Sequence, residues 1–215
     1  MPVTIDDFPR KKTLDLRLSM AEALAGFLRT QRFPDEFGAT QFAAVFSEWP
    51  DADARFVTPA ACVLPRGPLV YADARLVPTL LEDTCFPAAG TGQKGFGLYA
   101  LADAECDFDV QVRAPTGKER SDVVAGFEQL FVSDGILMDH QQGRRYGRLI
   151  TLDAYYGLPA RYSLQSVTVD DDGEAALKNR REATFLVRAQ AKLVKVGVVY
   201  PFVLTIRELV DGEPV

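Results

Sequence analysis

Gly90-Thr91-Gly92-Gln93-Lys94-Gly95 has the G-x-G-x-x-G spacing that lets a backbone approach a pyrophosphate. That chemistry needs a strand before the glycines and a helix after them, so that the helix dipole meets the phosphates. Here Cys85-Phe86-Pro87-Ala88-Ala89 precedes and Phe96-Gly97-Leu98-Tyr99-Ala100 follows, and the Gly-Lys-Ser/Thr of a P-loop is missing. The segment therefore reads as a glycine-rich surface loop. His140, the single histidine, sits in Met138-Asp139-His140-Gln141-Gln142-Gly143, with no second imidazole to share a metal, and reads as a loop residue. Cys62, Cys85 and Cys106 show no C-x-x-C spacing and are odd in number, so they read as reduced thiols rather than a disulfide or zinc framework.

Asp170-Asp171-Asp172-Gly173-Glu174 gathers oxygen ligands, but without the alternation and terminal Glu of an EF-hand loop. Asp with Gly makes a good turn, and the run reads as a solvated connection between two strands. No catalytic set, metal or cofactor site emerges, and the chain is expected not to be an enzyme. Two basic clusters remain, Arg144, Arg145 and Arg148, and Lys178, Arg180 and Arg181 beside the acidic Asp170, Asp171 and Asp172. Opposite charges of this kind suit rim contacts between neighbouring copies, and these nine residues are the subunit-interface candidates.

The elements that must position them follow from periodicity. Leu14, Leu18, Ala21, Ala25 and Leu28 make one stripe of a helix over Thr13–Arg29, with Asp15 at its positive end and Pro34 beyond its stop. Phe108, Val110 and Val112 alternate along a strand that breaks at Pro115. Thr116-Gly117-Lys118-Glu119 then opens a second helix with a capping-box pattern, and Val123, Val124, Phe127, Leu130 and Phe131 share its apolar face. Gly126 inside that helix costs about 1 kcal/mol relative to Ala, which points to close approach by a neighbour.

Alternation predicts strands over 148–156, 162–169, 183–194 and 200–206, with further strands near 42–46 and 55–64; 71–77 reads as strand or loop, and a glycine-rich loop over 87–97 leads into 96–101. The run Ala183–Val194, about 40 Å long at 3.3 Å per residue, exceeds an ordinary sheet strand, and its expected partner is 148–156 or 200–207. One end is expected to contact a neighbouring subunit. These readings give an α+β single domain over 1–215: an antiparallel-rich sheet with long strands and one or two helices packed on one face. Residues 33–100 are expected to form an irregular inserted region, and 211–215 a flexible tail.

Twenty-four Lys and Arg against thirty Asp and Glu leave a net charge of −6, which disfavours tight binding along a nucleic-acid backbone. An acidic lining would let DNA pass without sticking. No apolar run approaches the roughly 20 residues of a membrane span, and Asp15, Arg17 and Glu22 interrupt any apolar stretch after the first basic residues, so no secretory leader is expected.

The segment from Glu105 through Arg113, Pro115 and Thr116-Gly117-Lys118-Glu119-Arg120 to Phe127-Glu128-Gln129-Leu130-Phe131 resembles the tail-terminator and neck (head-to-tail connector) proteins of tailed bacteriophages. In that family an alternating strand runs into a helix of this opening and ends on an apolar pair. The resemblance covers about 105–210 and the first helix, while 33–100 has no counterpart in the smaller members. It implies a structural virion subunit made in the host cytoplasm, forming a homo-oligomeric ring, six-fold favoured. Its partners would be other phage neck and tail proteins, with DNA passing through and no membrane involved. The alternatives are a small-molecule-binding α+β protein or enzyme with a pocket under the Gly90–Gly97 loop, and an interaction module that pairs an exposed strand with a partner.

Overall fold

The strand expected around Phe108 is part of a run of 20 residues, Gly95–Ala114. The computed structural model describes residues 15–35, 38–48, 57–86, 95–132, 147–170 and 181–199. In chain order the elements are α1 (Leu16–Thr30), β1 (Phe33–Asp35), β2 (Gly38–Thr40), β3 (Ala44–Phe46), β4 (Ala60–Pro65), β5 (Val70–Phe86) and β6 (Gly95–Ala114). Then follow α2 (Gly117–Val132), β7 (Arg148–Leu152), β8 (Leu158–Asp170) and β9 (Arg181–Val199). The fold is α+β, as the periodicities require. The seven-stranded sheet has the order β3-β4-β6-β9-β8-β7, with β5 also on β6, and β1 and β2 form a separate antiparallel pair. Only β3 and β4, of the pairs with a resolved register, run parallel.

Residues 33–100 carry five strands and the start of a sixth rather than an irregular insertion; β3 and β4 fall at the strands expected near 42–46 and 55–64, whereas β1 and β2 have no counterpart among the expected strands and β5 runs well past 71–77. Alternation in β5 is obscured by alanines, a proline and charges, so periodicity undervalues a strand that long-range pairing stabilises. The tail 211–215 and the expected strand 200–206 lie outside the described residues.

Chain contacts divide into two compact units. The first holds the described residues 71–86, 95–104 and 192–199, all of them in β5, β6 and β9. Its close packing centres on Gly97, where an added Cβ would stand 2.8 Å from Leu80 Cδ1 and 3.1 Å from Val199 Cγ2. On Gly197 lies the ring of Tyr99, whose hydroxyl donates to the Val198 carbonyl at 3.0 Å.

The second unit contains both helices and the rest of the described strands. Even positions of β6 (Cys106, Phe108, Val110, Val112) and odd positions of β9 (Ala183, Phe185, Val187, Ala189) are buried on one face, as their alternation demands. Phe127 of α2 stacks on Phe185 with centroids 3.9 Å apart, and Tyr162 of β8 donates its hydroxyl to the Met20 carbonyl of α1 at 2.9 Å. Phe27 and Phe131 meet edge to face between the helices. Both helices therefore cover the same apolar face.

Asp15 caps α1, its Oδ1 accepting from the amides of Arg17 at 2.9 Å and Leu18 at 3.2 Å. The buried stripe is Leu16, Met20, Leu24 and Leu28 with Ala21 and Ala25, whereas Leu18, expected on it, is 43% exposed. Leu16, four residues before Met20, sets the leading edge of the buried face, and Leu14 lies outside the described residues. Helix α2 is capped as its sequence indicates, Thr116 Oγ1 accepting from the Glu119 amide at 3.1 Å. The reciprocal half differs, since Glu119 Oε2 is buried without a hydrogen-bond partner among the described residues.

The strand expected over 148–156 ends at Leu152 because Tyr156 and Gly157 take positive φ, 58° and 67°. The chain folds back there, with the Tyr155 and Gly157 amides donating to the Leu152 carbonyl, and β7 pairs with β8. Consequently β9 does not pair with 148–156; its neighbours are β8 and β6.

The close approach inferred at Gly126 is made by Phe33, a buried β1 residue in edge-to-face contact with Phe42 at 5.0 Å. A Cβ at 126 would overlap the Phe33 ring. Gly126→Ala is expected to lose about 1–3 kcal/mol despite its better helix propensity, because the packed ring must move. Urea unfolding checks this, and unchanged or raised stability would mean that Phe33 swings aside freely.

Candidate assembly surface

Burying one face of β6 and β9 turns the alternate residues of both strands to the opposite face. In the second unit, the partners there step in opposite directions along the two strands: Glu105 with Gln190, Asp107 with Arg188, Arg113 with Glu182. Asp107 receives Arg188 through two bonds, Nε to Oδ1 at 2.8 Å and the terminal nitrogen to Oδ2 at 3.1 Å. The same guanidinium reaches Glu105 at 4.0 Å. Arg113 Nε meets Glu182 Oε1 at 2.9 Å, and on the other edge of β6 Arg66 reaches Asp109 at 3.6 Å. In the first unit Lys192 donates to Asp103 at 3.3 Å.

The hydrogen bond to Asp107 raises the Arg188 pKa above its ordinary value, outweighing the smaller opposing effect of burial. These are partly exposed cross-strand pairs, bidentate only at Arg188 with Asp107, and they fix register more than they add stability. On β8 the ladder shifts by one residue at Gln165, whose side-chain nitrogen donates to Ser163 Oγ at 2.8 Å. Before the shift, Tyr162 points to the helices and Arg161, opposite Gln190, takes the outward position. Of the described side chains on this face of the second unit, Asp107 and Glu105 face Arg188, Glu182 faces Arg113 and Asp109 faces Arg66, with Arg161 at the outward position of β8.

The residues singled out from sequence fare differently. Arg144, Arg145, Lys178, Arg180, Asp171 and Asp172 lie outside the described residues, as do His140 and Gly90–Lys94. Gly95 opens a strand rather than a helix, which removes the phosphate-binding context of the glycine run. Asp170 ends β8 directly opposite Glu182, and Arg181 begins β9, so the acidic run leads out of one strand and the basic one into the next. Arg148 lies apart from the open face, on β7 opposite Tyr162, with its guanidinium 4.7 Å from the Phe27 ring centroid. Its position fits an inward cation–π contact rather than the expected rim contact. The paired acids of β6 were missed as a site, although their strict alternation from Asp103 to Asp109 is a readable signal.

Cys62 and Cys106 are buried, and desolvation pushes both thiols up, Cys62 to about 11. Among the described residues no helix is long and apolar enough to cross a membrane, and no His, Cys, Asp and Glu cluster could hold a metal ion. No family model and no curated protein matches this chain.

Two outcomes are expected. A double-mutant cycle on Asp107→Ala and Arg188→Ala should give a coupling below about 1 kcal/mol, because water screens both groups; coupling of several kcal/mol would make the pair a buried anchor. Cys62 should resist thiol reagents until the protein unfolds, since a rise from 9.0 to about 11 lowers its thiolate fraction about 100-fold at neutral pH. The raised folded value also means that its contribution to stability is complete below about pH 9 and lost as pH climbs towards about 11. Thiol titration and alkaline melts of native protein and of a Cys62→Ser variant check this, and rapid native labelling of Cys62 would contradict it.

Proposed function

We propose that this chain is a structural assembly subunit, and specifically a ring-forming virion component of the neck or tail end of a tailed bacteriophage. The observation that carries the reading is the strand system: β5, β6 and β9 span 17, 20 and 19 residues, where ordinary strands have about five or six. Outward polar side chains of β6 and β9 are engaged with one another across the sheet. Long strands braced in this way make a stiff surface for subunit contacts, and a subunit that repeats a heterologous contact closes into a ring when the rotation permits. The segment on which the resemblance to tail-terminator and neck proteins rests is a strand to Ala114 followed by a Thr116-capped helix to Val132.

In this role the net charge of −6 keeps the ring interior unattractive to DNA moving through it. The basic clusters at Arg144–Arg145 and Lys178–Arg181 meet acidic rims of neighbouring copies, and other neck and tail proteins stack on the ring. Negative-stain microscopy with light scattering over a concentration series tests the proposal. Closed rings, six-fold favoured, are expected, loosening as salt rises well above physiological strength. A monomer at every concentration, with or without phage neck partners, would refute it.

A further inference from the structure

A strand at the end of a sheet leaves one row of backbone N–H and C=O groups unpaired. Among the described residues β7 is such a strand, paired with β8 on one side only. Its register on β8 decides which groups are left over. Thr151 stands opposite Pro159, and proline has no N–H, so this pair cannot exchange two hydrogen bonds. In an antiparallel ladder bonded and non-bonded pairs alternate, so Ile150 bonds with Ala160, and the N–H and C=O of Leu149 and Thr151 point away from β8. Among the described residues no hydrogen bond reaches either of these two backbones from the outer side. The edge also lacks the usual defences against pairing: Leu149-Ile150-Thr151-Leu152 has no proline, charge or bulge, and Leu149 is 62% exposed. Arg148, the one charge of β7, lies over the Phe27 ring.

A second edge of this kind belongs to β5, which among the described residues pairs with β6 alone. Consecutive residues of a strand face opposite sides, and Val70 and Tyr71 are 59% and 53% exposed, so neither side is covered where β5 begins. Val77 is 77% exposed. A strand with apolar side chains open on both sides is a template for pairing with another chain. We infer that the free edge of β7 accepts the Val70–Val77 part of β5 from a second copy of this chain, which extends the sheet by one strand. The inference rests on the assembly reading and adds which surfaces meet. Two different edges on each copy make the contact heterologous, so it repeats from copy to copy and closes where the rotation permits. Charge does not oppose it: β5 carries Asp73, Glu82 and Asp83 against Arg75, and β7 carries only Arg148. Backbone hydrogen bonds supply the affinity, and the exposed apolar residues of both strands are covered.

The test uses full-length protein and sedimentation velocity over a concentration series, with circular-dichroism melts to report folding. Thr151→Pro removes an outward N–H without breaking a bond to β8, and should weaken self-association tenfold or more while the protein stays folded. Should it not fold, Leu149→Lys blocks the same edge from an exposed position and takes its place. Val70→Lys combined with Val77→Lys blocks the β5 side and should weaken association to a similar extent. Each blocked protein keeps the other edge, so the β7-blocked and β5-blocked proteins, when mixed, should form a one-to-one complex that neither forms alone. A folded Thr151→Pro or Leu149→Lys protein that associates like the wild type overturns the inference and leaves the assembly reading intact. A β5-blocked protein that associates like the wild type also overturns it, since β7 would then be meeting a different strand, and so does a mixture without the one-to-one complex. Wild-type protein that stays monomeric, with or without phage partners, removes both.

Discussion

The two-sided alternation of β6 is the constraint on which the rest of this structure depends. Its even positions from Leu98 to Ala114 are buried, and its odd positions carry Asp103, Glu105, Asp107, Asp109 and Arg113 on the other side. Because the side-chain period of a strand is two, a one-residue slip would drive that row of charges into the core. Register is therefore pinned twice, by apolar burial on one face and by ion pairs on the other. The neighbours of β6 inherit this fixed register: β4 through its ladder from Ala60 with Arg113 to Pro65 with Phe108, and β9 through Arg188 and Glu182.

The two faces are stabilised by different physics. On the helical side, aromatic contacts join α2 to β9 through Phe127 and Phe185, and the helices to one another through Phe27 and Phe131, while Tyr162 satisfies an α1 carbonyl from the sheet. These groups are lost to water only on unfolding, so they dominate stability. On the open side the pairs are half-exposed and individually weak, and their value lies in orientation and in the balance of signs presented outward. Such a division separates the groups that stabilise the fold from those that set the character of the outer surface.

Irregularities mark the places where the simple pattern must bend. The positive φ angles of Tyr156 and Gly157 end β7 early and turn the chain into β8. Further along β8, the shift at Gln165 returns the strand to a register in which Val167 opposes Phe185 and Val169 opposes Ala183. Without that extra residue, Ser166 and Thr168 would face the helices.

Much of this was legible locally. The capped helix after Pro115, the apolar face of α2, the tight packing at Gly126, the alternation of β6 and β9 and the α+β class all follow from short-range periodicity and turn chemistry, because burial writes its period into the sequence. What only the tertiary structure decided is which strand meets which. That Arg188 answers Asp107 rather than a nearer acid, that β8 and not 148–156 flanks β9, and that β5 extends to Phe86 are consequences of pairings between residues far apart in the sequence. A strand can pair with any edge of compatible alternation, so its own sequence states the face that is buried but not the neighbour; total burial and ion-pair register across the whole sheet select that neighbour.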